Sequence, residues 1–135
     1  MGLTGRISQK VAQAQAPVYM YLFAWQSLAL GGRPRATHTV EIPFVFDNTH
    51  IPTTMTTGGA EVKTLAAQTS EAWIAFARSG NPNHKGLPTW PAYTTAQRGT
   101  MVFDAPASRV ANDPGRVERD RWASLARIAS AKPGR

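Results

Sequence analysis

The sequence contains no cysteine, which excludes a disulfide framework and a thiolate metal site and leaves the redox compartment open, with the cytoplasm as default. Charge is also sparse: Asp, Glu, Lys and Arg make up 17% of the 135 residues, whereas 42% are hydrophobic. A disordered tail is therefore excluded, because disorder combines few apolar residues with dense charge. Long apolar runs are missing as well. The longest, from Pro17 to Trp25, is well short of the roughly 18 residues a membrane span needs, and the first fifteen residues are too polar for a secretory core. No membrane partner is expected.

Acidic residues are absent from residues 1–37, which hold four basic ones; residues 109–135 hold seven basic and three acidic, and the stretch between is close to balance. The net charge of +7 thus sits at the two ends. A nucleic-acid footprint would cluster Lys and Arg on one face or among stacking aromatics, and no zinc finger, ribonucleoprotein motif or glycine-loop clamp is present. No nucleic-acid partner is expected.

What is present reads as alternating strand and helix. RISQKVAQAQ suits a polar helix, and APVYMYLFAW, apolar without alternation, suits a parallel strand buried on both faces. A Gly/Pro/Arg loop follows, then the short apolar piece EIPFVF and a second loop. From Ala60 to Ser79, Val62, Leu65, Ala66, Trp73, Phe76 and Ala77 recur at helical spacing, and Gly80 and Pro82 supply the stop. Trp73 and Phe76 are expected as core contacts of this helix, like Trp25 and Trp122 elsewhere. Trp90 and Tyr93 lie in a Pro/Asn loop where they can pin the chain to a surface. TMVFD reads as a short strand, Asn112-Asp113-Pro114 as an N-cap followed by Pro at the first helical position, and Trp122, Leu125 and Ile128 as the inner side of a last helix. The order fits an α/β architecture, but an incomplete one, since the first strand finds no obvious ladder partner within this chain.

Without cysteine, general-base chemistry near neutral pH falls to the histidines. His50 and His84 stand among Asn, Pro and Thr, where an imidazole bonded to a turn is the plain reading. His38 ends the loop that leaves the carboxyl end of the first strand, the edge where open α/β sheets place their sites.

The order of APVYMYLFAW, HTVEIPFVFDN, SEAWIAFARSGNPN, LPTWPAY and TMVFD resembles the C-terminal part of the type-B carboxylesterases, which include para-nitrobenzyl esterases and cholinesterases. The resemblance runs over nearly the whole chain. It implies that residues 1–135 are a C-terminal fragment of an α/β-hydrolase domain, carrying its late strands and flanking helices. It also implies small carboxylic esters as substrates, with no cofactor and no metal. His38 matches the family's catalytic base, and Glu41 the motif glutamate in the surroundings of the site. One departure is Thr39, where many members have Gly. None of the serines sits in a G-x-S-x-G elbow, and no carboxylate precedes His38, so the sequence supplies only the histidine of a Ser-acid-His triad. The isolated chain is expected to be inactive, and to self-associate through an exposed sheet edge. A non-catalytic binding module and a functionless remnant are the alternatives.

Overall fold

Gly99–Phe103, five consecutive buried residues, form the central strand, β2, of a three-stranded sheet. In the computed structural model, which describes Gln13 and residues 16–51, 55–56 and 58–130, β1 (Met20–Phe23) runs parallel to β2. Tyr21 lies opposite Met101 and Phe23 opposite Phe103. On the other side β3 (Arg109–Asn112) pairs antiparallel, Met101 facing Val110. The helix expected over residues 6–15 lies outside the described residues except for Gln13.

Two expectations about the first strand are corrected. It does have a ladder partner in this chain, because the long crossover that a parallel pair requires returns the chain to β2. It is not buried on both faces either, since Leu22 is 47% exposed. One edge of β1 bears no strand among the described residues.

The crossover contains two helices. The EIPFVF piece forms α1 (Ile42–Val45), with Pro43 in its first turn, where a missing N–H is harmless. Ala60–Ser79 form α2, which ends where expected: Gly80 adopts φ 73° and donates its N–H to the Phe76 carbonyl at 2.7 Å. Val62, Leu65, Ala66, Thr69 and Ala72 are the buried face of α2 and meet Phe44 and the sheet. Trp73 and Phe76, expected in the core, are each 47% exposed and touch the edges of Tyr21 and Tyr19. Leu65 and Val62, with the smaller Ala66, Thr69 and Ala72, make the close contact of α2, and the neighbouring arc carrying the two aromatics is only half covered.

The loop after α2 is held by side-chain amides. Asn83 accepts the Trp90 N–H at 2.7 Å and donates to its carbonyl at 2.8 Å, while the Tyr93 N–H reaches the Val18 carbonyl at 2.7 Å. Trp90 and Tyr93 are buried, so the expected pinning holds.

The last helix, α3 (Arg116–Ser130), departs from expectation twice. The Asn112-Asp113-Pro114 stretch expected to cap and open it lies ahead of it: Asn112 pairs with Gly99 at the end of β3, and the helix begins at Arg116, past Pro114. The chain turns at Asp113, whose carbonyl accepts the Arg116 N–H at 3.0 Å. Trp122, Leu125 and Ile128 are not inward: they are 70%, 55% and 64% exposed.

Candidate active site

Because β1 and β2 are parallel, their carboxyl ends form a common rim, and the chain leaving β1 carries His38 away from it. That loop is pinched. The Ser27 N–H donates to the Arg35 carbonyl at 3.1 Å, closing a short excursion in which Leu30 and Gly31 take positive φ. The Ser27 hydroxyl, buried, donates to the Met55 carbonyl at 2.5 Å and ties the excursion to the segment before α2. Trp25, two residues past β1, and Val40, two residues past His38, are both buried in one cluster with Phe44. The two ends of the loop are thus anchored in one cluster.

Residues 37–40 make a tight turn, the Val40 N–H meeting the Thr37 carbonyl at 3.3 Å. Thr39, third in the turn, has φ 71°, whereas His38 is not among the residues of positive φ. Positive φ at the third position alone defines a type II turn, which favours glycine there. The Thr39 hydroxyl donates to the His38 carbonyl, a local bond that only a hydroxyl residue supplies. His38 itself is exposed on the crest of the turn.

Glu41 is half-buried and takes a different direction. It lines an open groove with Tyr21, Ile42, Phe46 and Trp73. Burial pushes the Tyr21 phenol above its ordinary value, and the Glu41 charge adds to the shift. No hydrogen bond or ion pair joins Glu41 to His38 among the described residues, so the turn separates the two motif residues rather than pairing them. His50 is exposed, and His84 is tied to α2, its Nε2 3.1 Å from the Gln68 carbonyl and its Nδ1 3.0 Å from Glu71. Neither stands near the rim by any contact described.

Residues 4–122 match the model of the carboxylesterase family. The chain belongs to the carboxylesterase family. Among curated proteins, the para-nitrobenzyl esterase of Bacillus subtilis is 36% identical over 111 residues, covering 78% of this chain and 22% of that enzyme. The phenmedipham hydrolase of Pseudarthrobacter oxydans is 34% identical over 106 residues, again 22% of its length. Among solved structures, a carboxylesterase of Geobacillus stearothermophilus superimposes with a TM-score of 0.72 at 38% identity, over 88% of this chain and 24% of that one. The sheet and its helices are therefore part of an α/β-hydrolase fold, and the chain spans about a quarter or less of the relatives it matches.

The residues that sequence reasoning missed are those that hold the site. Val40 anchors the loop beside Trp25, which was expected in the core and is buried there, and Tyr21 shares the groove with Glu41. Val40 carried one legible signal, an apolar residue isolated between Thr39 and Glu41. Tyr21 carried none, since its face of β1 depends on register.

Proposed function

We propose that this chain is the histidine-bearing C-terminal segment of a serine carboxylic ester hydrolase, with His38 as the general base. The observation that supports the reading is an exposed imidazole on a turn whose neighbour Val40 is buried in one cluster with Trp25, two residues past the carboxyl end of a strand in a parallel pair. In the reaction, His38 takes the proton of a serine hydroxyl as its oxygen attacks the ester carbonyl carbon. The proton then passes to the alkoxide as the acyl–oxygen bond breaks, and the same relay, run with water, releases the acid. An acid from elsewhere in the fold holds the imidazole tautomer. Glu41, turned into the groove with Tyr21, is part of the surroundings and not this acid.

The serine elbow and an acid ahead of His38 are not encoded in these 135 residues. The purified chain therefore gives no hydrolysis of p-nitrophenyl acetate above buffer, and turnover abolished by His38→Ala would overturn this part. The role of His38 is tested in a chimera in which the segment replaces the matching region of the Bacillus subtilis enzyme. His38→Ala there lowers kcat by about 10³-fold or more with little change in KM. An unchanged kcat refutes the assignment.

A further inference from the structure

Three segments of the chain meet around the ring of His84, and hydrogen bonds join them. Its Nε2 stands 3.1 Å from the Gln68 carbonyl on α2. Its Nδ1 lies 3.1 Å from the Gly86 nitrogen and 3.0 Å from Oε2 of Glu71, also on α2. Gln68 completes the junction: its Nε2 donates to the Gly86 carbonyl at 3.0 Å, and its Oε1 accepts the Ser108 hydroxyl at 2.9 Å, from the connection between β2 and β3. The His84 side chain is 12% exposed, whereas that of Glu71 is 61% exposed. The Leu87 N–H returns to the His84 carbonyl at 3.2 Å, so residues 84–87 form one turn with the ring folded over it. A Cβ at Gly86 would lie 2.8 Å from Cε1 of that ring and 3.0 Å from Nδ1, so the approach needs glycine.

The partners fix the protons of the ring. A backbone carbonyl only accepts, so Nε2 carries a hydrogen whether the imidazole is neutral or charged. Nδ1 faces a donor and an acceptor and cannot satisfy both. Bare, it accepts the Gly86 N–H and turns its lone pair toward a carboxylate; protonated, it donates to Glu71 and leaves that N–H without its partner. Few other charges bear on this exchange. On α2, Glu61, Lys63 and Arg78 are five or more residues from both Gln68 and Glu71. Lys85, next in the chain, makes no ion pair among the described residues, and Asp104 and Arg109, on either side of Ser108, pair with each other at 3.5 Å.

We infer that His84 is a pH-sensitive latch on the turn 84–87: neutral, it clasps Gly86 through Nδ1, and as the imidazolium it lets that N–H go and holds Glu71 instead. Protonation thus moves a contact from the turn to the helix, a local charge event that selects between two arrangements. Asn83, one residue earlier, keeps its two bonds to the Trp90 backbone in both states, so the change is confined to the turn that carries Lys85. The latch is independent of the chemistry proposed for His38.

Nitrogen-15 NMR of the 135-residue chain from about pH 8 to 5, the range in which imidazole side chains charge, follows both partners. At the upper end Nε2 carries the hydrogen and Nδ1 is bare. On acidification the Gly86 amide signal moves together with the His84 ring. Its exchange protection, corrected for the intrinsic pH dependence, falls several-fold, while that of Gly80, bonded to the Phe76 carbonyl, does not. Glu71→Ala, at an exposed position, removes the acceptor of the charged ring and moves the shared titration to lower pH. In His84→Gln the Gly86 signal no longer titrates, and far-UV circular dichroism checks that both variants keep their helix content. A bare Nε2 at high pH, a Gly86 amide that ignores the ring, or a titration that Glu71→Ala does not lower overturns the inference. Persistence of the Gly86 titration in His84→Gln overturns it as well, and if that variant loses helix content Glu71→Ala decides alone.

Discussion

Thr39 is held at φ 71° in the turn that presents His38, and this offers a direct test of how the loop is built. A left-handed conformation places Cβ against the following carbonyl and costs about 1–2 kcal/mol for a residue with a side chain, with branching at Cβ toward the upper end. Thr39→Gly removes that strain. It also gives the unfolded chain more freedom, which offsets about 0.5–1 kcal/mol, and deletes an exposed hydroxyl bond to the His38 carbonyl. The balance is a gain of about 0.5–1 kcal/mol, or a few degrees in Tm for a chain of this size. Thr39→Ala is the informative control, since it deletes the hydroxyl and keeps the Cβ. It is expected to be about 1 kcal/mol less stable than the glycine variant.

Urea unfolding followed by tryptophan emission reads this turn, because Trp25 is buried in the cluster that also holds Val40. If Thr39→Gly proves no more stable than Thr39→Ala, residue 39 is not held at positive φ and the type II assignment fails. In the chimera the same glycine variant leaves the proton chemistry of His38 untouched, so kcat stays within a few-fold while stability rises.

Phe44 is fully buried between Phe23 and Trp25, so Phe44→Ala destabilises by about 3–5 kcal/mol in the same unfolding assay and loosens the loop anchor. Gly80 has open space around its Cβ position but φ 73°, so Gly80→Ala costs about 1 kcal/mol from backbone strain alone; a neutral result would refute the left-handed cap. The hydrogen bond from Arg119 holds the Asp113 carboxyl below its ordinary 3.8, so its contribution is present above that value and lost as pH falls through the lowered one. An NMR titration of Asp113 should show the depressed value and its return toward normal in Arg119→Leu.

Local physics was readable without coordinates. The α2 helix and its stop follow from apolar spacing and from Gly80, both acting over a few residues, and Trp90 and Tyr93 were correctly expected to pin their loop. The failures share a cause. Trp73, Phe76, Trp122, Leu125 and Ile128 look like core residues in any window of sequence, yet burial is a property of the neighbour, and the described residues cover the first two only in part and leave the other three more than half exposed. Asn112-Asp113-Pro114 carries the chemistry of a helix start, but a ladder opposite Gly99 holds Asn112 in β3 and the helix begins only at Arg116. His38 was singled out because a loop after a buried strand, and a family motif, drew notice to it; what holds the two ends of that loop together is the joint burial of Trp25 and Val40.

By itself the sequence determined the α/β class, the long helix and its end, the membership in the carboxylesterases, and the residues from which a base could be chosen. These rest on interactions between near neighbours or on an order of motifs along the chain. Only the tertiary structure decided that Met20 lies beside Thr100, that Thr39 turns left-handed, that Glu41 faces Tyr21 and not His38, and that α3 bares Trp122, Leu125 and Ile128. Each depends on which distant segments come to lie together, and a chain's local preferences carry no information about what will stand on its other side.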